Sequence, residues 1–242
     1  MEASRPEIWP GARPWADPHG SFGTLPDAEG LGASVMRLRV PPEKLADFMP
    51  ALLHRYPKPP RFSVGPFETP GLREWLSEHD YVCEMVETVL VLPRDSWPHG
   101  PGAGPVVREA LNLADLLQTL RLDQIVFDEP LRTGAGLRRE WARYGGHRRL
   151  FLAPGDDGTA RASGVYTDFG RWILLSGAVT HPGHRRQGLY HAVVQARIDA
   201  ARTSSAASFA AVYANQATSA PILEHLGFQA IGTVTAWAPS PG

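Results

Sequence analysis

The sequence predicts an α/β protein in two parts, with helices flanking the strands. Three observations carry this. Short apolar runs of strand length alternate along the chain with stretches of helical periodicity. A segment at residues 94–105, preceded by Pro93 and containing Pro98, Pro101 and Pro105 with three glycines, separates a smaller first part from a larger second one. The run LLSGAVTHPGHRRQGLYHAVVQARI at residues 174–198 reads as a buried strand, a tight basic turn and a helix, and the rest reads as scaffold for it. With 242 residues, 43% of them hydrophobic, the chain has enough apolar surface for a full core.

Residues 1–30 carry Pro6, Pro10, Pro14, Pro18 and Pro26 without periodicity and read as an extended arm pinned by Trp9 and Trp15. Residues 34–40 alternate as a strand. Pro41 and Pro42 then open a helix whose face is Leu45, Phe48, Met49, Leu52 and Leu53. A short strand at 61–64 stops at Gly65-Pro66, and Thr69 stands as the N-cap of a second helix with Leu72, Trp75 and Leu76 inward. Residues 85–92 form a third strand, completing a β-α-β-α-β module over 31–93. After the 94–105 linker come helices at 110–122 and 134–144. Strands at 149–153 and 162–166 follow, joined by the hairpin chemistry of Gly155-Asp156-Asp157-Gly158. The strand at 171–179 leads into the central turn, and after its helix come a strand at 209–213, a helix opening near Ala220-Pro221 and a last strand at 230–237.

At the turn, Pro182 and Gly183 stop the apolar strand, and Tyr190, Val194, Ile198 and Ala201 begin a helical spacing. Arg185, Arg186 and Gly188 therefore sit at a helix N-terminus. There the first backbone N–H groups lack intrahelical partners, the dipole is positive, and a glycine admits close approach. Such a place suits a phosphate or pyrophosphate.

The order of residues here is more specific than the general pattern. THPGHRRQGLY at 180–190 resembles the V-x-P-x-x-[RQ]-x-x-G-x-[GA] stretch of the GNAT (GCN5-related N-acetyltransferase) superfamily, and QATSAPILEHLGF at 216–228 resembles that family's N-x-x-[AS]-x-x-[LIV]-x-x-x-[LF]-G-F segment. The resemblance implies the GNAT fold over residues 106–242, with a mixed, mostly antiparallel central sheet flanked by helices. The first module, whose SVGPFETPGLREWL stretch resembles the N-terminal half of two-part bacterial members, is then a degenerate repeat without a cofactor loop, or alternatively an unrelated cap. It also implies acetyl-CoA as co-substrate, held by Arg185, Arg186, Gln187, Gly188, Leu189 and Tyr190 at the pyrophosphate. Ala178, Val179, Thr180 and Asn215 lie along the rest of the molecule, with the oxyanion donor a backbone N–H at or beside Val179. Two positions depart from the pattern: Tyr190 replaces a small residue, and Leu223 stands where many members carry a tyrosine acid. Ser219 matches a serine proposed as the acid in the branch that acetylates ribosomal-protein N-termini; a helix cap is the competing role for it, as a strand-end turn is for Asn215. The implied activity is acetyl transfer to a primary amine of a small molecule or peptide by direct attack in a ternary complex. The alternative is a non-catalytic acyl-CoA-binding or interaction protein on the same scaffold.

Other classes are set aside by composition. Cys83 is the single cysteine, which leaves no internal disulfide and no thiolate metal site. Net charge is −1, so no global field draws nucleic acid or membrane. No apolar run reaches a membrane span and the start of the chain lacks a signal-peptide pattern, so the cytoplasm is the expected location. His181, His184 and His191 fit no zinc spacing and are expected to be exposed loop histidines, so no metal is expected. Leu174 fills the mid-strand position where some GNAT members place a carboxylate; a water, Ser176, Tyr213 or Asp168 remain candidate bases. Asp123, Asp128 and Glu129 could attract an ammonium group or form a solvated loop. The tryptophans are expected as core and pocket walls, and the chain as a monomer or homodimer.

Overall fold

The computed structural model describes residues 13–16, 21–25, 33–66, 68–98, 104–128 and 130–241. The chain divides into two compact units. The first comprises Met1–Leu90, Ala214–Leu226 and Ala230–Gly242; the second comprises Val91–Tyr213 and Gly227–Gln229.

In the first unit, β1 (Arg13–Ala16), β2 (Phe22–Leu25), β3 (Ser34–Arg37), β4 (Arg61–Val64), the chain's last strand β11 (Gln229–Pro239) and β5 (Tyr81–Pro93) lie side by side in the order β1-β2-β3-β4-β11-β5. β3 and β4 are parallel, because helix α1 (Leu45–Leu53) carries the chain back between them. Leu45, Met49 and Leu52 of α1 and Leu72 and Leu76 of α2 (Leu72–Glu78) bury against Val35, Phe62, Val64 and Tyr81. No anion loop opens α1. The turn Pro42–Lys44 leads straight into it, with a proline at the first position and Glu43 in the first turn.

Three expectations change here. Part of the arm is structured: β1 and β2 form an antiparallel pair, and Trp15 donates through Nε1 to the Tyr56 hydroxyl at 2.7 Å, while Trp9 lies outside the described residues. Strands of four residues holding Pro14 and Gly23 are too short to show alternation. Thr69 is not the cap of α2. It is buried, its hydroxyl accepts from Val40 N–H at 2.9 Å, and the cap position is Gly71 with φ 84°. The C-terminal residues pack otherwise than a boundary at 106 suggests: β11 runs antiparallel on β4, Trp237 opposite Phe62, so the last strand fills the first unit's sheet.

In the second unit the order is β10 (Phe209–Asn215), β9 (Ile173–Thr180), β8 (Ala162–Asp168), β7 (Arg148–Ala153), β6 (Arg108–Glu109). All neighbours are antiparallel except β9 and β10, which are parallel and joined through helix α5 (Leu189–Ser204). α3 (Leu113–Phe127) and α4 (Gly134–Trp141) cover one face, where Leu116, Leu122 and Trp141 meet Val165 and Val179. α5 covers the other, where Leu189 and Val193 meet Ala153 and Ala162. α3 starts at an Asn112 cap that accepts from the Ala114 and Asp115 N–H groups, and runs five residues further than the apolar spacing suggests. The described part of the 94–105 linker is packed: Trp97 is buried, and Arg94 donates to the carbonyls of Arg202, Ser205 and Ala207. No helix among the described residues is long and apolar enough to cross a membrane.

Candidate functional site

The site grows from the end of β9. Registered pairs between β9 and β10 cover only Ile173, Leu174 and Leu175, opposite Ala210, Ala211 and Val212. β9 then continues alone on that side through Ser176, Gly177, Ala178, Val179 and Thr180, still paired to β8 on the other. The β8–β9 register slips between Ser163 and Val165, and opposite the slip Gly177 takes φ 56°. This is a β-bulge, which bends a strand and re-aims the groups after it. Val179 is buried toward α3, and the buried Thr180 hydroxyl has no hydrogen-bond partner among the described residues.

Beyond Thr180 the chain makes one 3₁₀ turn, Pro182–His184, where the His181 ring nitrogen Nδ1 accepts from Gly183 N–H at 3.1 Å. Arg186 and Gly188 then take left-handed backbone, φ 62° and 76°. Glycine adopts this freely, and the conformation builds backbone concavities that bind anions. No side chain caps α5 at Gly188 and no acidic residue lies in its first turn. The first intrahelical bond runs from Ala192 N–H to Gly188, so the N–H groups of Leu189, Tyr190 and His191 have no acceptor within the helix. Arg185, Arg186, Gln187 and Gly188 are exposed, whereas Leu189 is buried and anchors the turn. Tyr190, the departure from a small residue, is half-buried and interacts electrostatically with Arg197, further along α5.

Arg197 was not among the residues singled out from the sequence. It lies four residues after Val193 on the buried stripe of α5, which is the signal that could have found it, and it is only 1% exposed. Its guanidinium donates to the carbonyls of Val193 (3.1 Å), Val165 (3.0 Å) and Ser176 (3.2 Å). Burial pulls its pKa down to about 10, opposed by the Tyr190 phenol, so it stays charged at neutral pH.

The loop and strand residues Ala178, Val179, Thr180 and Arg185 to Tyr190 therefore form one stretch of the second unit, while Asn215 and Ser219 belong to the first. Asn215 Oδ1 accepts from the N–H groups of Ala217 and Thr218 and from the Thr218 hydroxyl, which makes it a turn builder. Ser219 is the first residue of α6 (Ser219–His225); the cap position is Thr218, without a side-chain cap bond, so the expected cap role is not seen. Leu223 is fully buried and Tyr213 is exposed. Asp168 closes the turn after β8, accepting from Gly170 N–H at 2.7 Å. Asp128 ends α3 in left-handed backbone, and Glu129 lies outside the described residues. Trp172 stacks between Phe169 and Phe209, and Trp141 packs on the α3 core, as walls. Among the described residues no cluster of three or more His, Cys, Asp or Glu side chains could hold a metal ion.

Residues 161–238 match the family model described as FR47-like protein. Among solved structures, a GCN5-related N-acetyltransferase from Kribbella flavida superposes with TM-score 0.68 at 17% identity over 96% of this chain and 91% of that one. A tandem GNAT protein from the clavulanic acid biosynthesis pathway gives 0.60 at 17%, over 96% and 85%. A GCN5-related N-acetyltransferase from Sphaerobacter thermophilus gives 0.61 at 15%, over 94% and 80%. No curated protein sequence matches. The parallel β9–β10 pair that separates beside a glycine-opened helix is thus set in a GNAT fold. The protein is one of that fold class, and the FR47-like match runs from the start of β8 through β9, α5, β10 and α6 into β11.

Proposed function

We propose that the protein is an acetyl-CoA-dependent N-acetyltransferase that acetylates a primary amine of a small molecule or peptide by direct attack in a ternary complex. The observation that supports this best is the unpaired end of β9 leading directly into the uncapped N-terminus of α5. The residues fit the cofactor. A helix N-terminus with no side-chain cap, a glycine with left-handed backbone and two exposed arginines suit a pyrophosphate, and the Thr180 hydroxyl, which has no hydrogen-bond partner among the described residues, suits a polar arm.

When bound, acetyl-CoA supplies an activated acyl thioester. Arg185, Arg186, Gln187, Gly188, Leu189 and Tyr190 hold its pyrophosphate, chiefly through backbone N–H groups. Ala178, Val179 and Thr180 lie along its arm, and a backbone N–H at or beside Val179 donates to the acyl oxygen. A fixed donor at that point favours the charge that develops during transfer, and costs no reorganisation. The resemblance assigns Asn215 to the arm and Ser219 to proton donation. The candidates to take the amine's proton are a water, Ser176, Tyr213 and Asp168, since β9 carries no carboxylate among its residues.

The test is release of free thiol from acetyl-CoA against a panel of small amines, amino acids and peptides. Amine-dependent release is expected for at least one class. Stoichiometric acetyl-CoA binding without release against any of them would instead leave a non-catalytic binder.

A further inference from the structure

Arg197 is a buried cation that no carboxylate pairs with among the described residues. Taking a guanidinium out of water is costly, and an apolar side chain of similar length would fill the same stripe of α5 without that cost. Its position explains what it does there. Val165 and Ser176 are opposite one another across β8 and β9, directly beside the bulge. In a regular ladder their carbonyls would be served by the partner strand. Here a single nitrogen, Nη1 of Arg197, donates to both.

Two glycines make this possible. A Cβ on Gly164 would sit 2.9 Å from the guanidinium carbon and from Val193 Cγ1, so β8 leaves out a side chain where Arg197 lies. Gly177 follows Ser176 and takes φ 56°; a Cβ there would meet nothing closer than Val165 Cγ2 at 3.9 Å, so only its backbone preference matters. The guanidinium thus grips the carbonyl immediately before the left-handed residue.

We infer that Arg197 is a positioning residue for acyl transfer: by bridging the Val165 and Ser176 carbonyls it locks the Gly177 bulge, and so sets the direction in which the Ala178 and Val179 N–H groups face. This rests on the acyltransferase reading given above. Gly164 is the socket, Gly177 the hinge and Arg197 the pin. The hydrogen bonds of Arg197 go to Val193, Val165 and Ser176 rather than to the anion loop, so cofactor affinity is expected to change less than turnover.

The experiment uses the full chain carrying Arg197→Met, Arg197→Lys or Gly177→Ala. Amide hydrogen exchange, acetyl-CoA affinity and turnover with the best amine are measured in each. Exchange at Gly177, Ala178 and Val179 is expected to accelerate in all three, with the remote amides of α5 unchanged. Turnover is expected to fall on the order of 10- to 100-fold in Arg197→Met and Gly177→Ala, less in Arg197→Lys, with acetyl-CoA affinity held within about 3-fold. Unchanged exchange in both Arg197 variants overturns the lock whatever the activity. Affinity and turnover falling together, with exchange faster throughout the second unit, overturns it in favour of a merely structural role. A wild type that consumes no acetyl-CoA with any amine overturns the acyltransferase reading and the catalytic consequence with it, a result distinct from a failure of the lock alone.

Discussion

Ser219 shows how one side chain can be chemically suited to two roles. Serine ahead of Pro221 near a helix start reads equally as a cap or as an acid. Because α6 begins at Ser219 itself and its cap position carries no side-chain bond, removing the hydroxyl takes away no cap. Ser219→Ala is therefore expected to leave stability within about 0.5 kcal/mol of wild type in urea unfolding. Turnover should fall about 100-fold or more if the hydroxyl protonates the thiolate, with acetyl-CoA affinity unchanged. Undiminished turnover would remove it from the chemistry. Thr69 is the opposite case. It looks like a cap in sequence, and its hydroxyl instead ties the turn at Val40. Arg197 was hidden for a related reason: an arginine on an apolar stripe reads as a long side chain reaching for water, and only the folded backbone shows three carbonyls waiting for it.

At the scale of elements, the strand, turn and helix around residues 174–198 were legible because local chemistry decides them: an apolar run, Pro182-Gly183 as a stop, and Gly188 where left-handed backbone is needed. The tether of α3 was not. Asp115, at the third position of that helix, is buried between both guanidinium nitrogens of Arg108 (2.7 and 2.8 Å) and the Leu111 N–H (2.8 Å). Seven residues of separation, from a two-residue strand across a turn into a helix, carry no periodicity to signal the pair. Arg108 beside it, helped by that N–H, holds the Asp115 carboxyl below its usual range, against the opposing effect of burial. Its folded pKa is depressed, so its contribution is complete above the ordinary value of 3.8 and is lost as pH falls through the depressed one. Asp115→Asn is expected to lower unfolding stability by about 2 kcal/mol at neutral pH, with part of the Arg108 interaction discounted because that partner is half exposed. Denaturant curves should show the gap to wild type narrowing as pH drops below about 4. A gap that stays constant with pH would mean that the lost contribution is packing.

Across the whole molecule, the fold class and both matched segments were readable, whereas the assignment of the last strand was not. β11 is a good strand wherever it pairs; that it lies on β4, more than 160 residues earlier in the chain (Trp237 on Phe62), depends on pairing at a distance, which local pattern does not encode. The parallel β3–β4 pair with α1 has, within the first unit, the order strand, helix, strand that β9, α5 and β10 have, and its helix opens at Pro42–Lys44 instead of at a loop like Arg185–Gly188. A binding test on the intact chain therefore isolates a single loop. That test is calorimetric titration of wild type and Gly188→Asp with acetyl-CoA. Room exists at Gly188 for a side chain, the nearest atom to a Cβ being Pro105 Cδ at 3.8 Å, but a carboxylate there competes with the pyrophosphate for the helix N–H groups and forces a left-handed conformation on a residue other than glycine. Micromolar binding to the wild type, lost in the variant while its helix content by circular dichroism is retained, is the expected result. An absence of binding to the wild type, or equal affinity in both proteins, would contradict the assignment of this loop as the cofactor site.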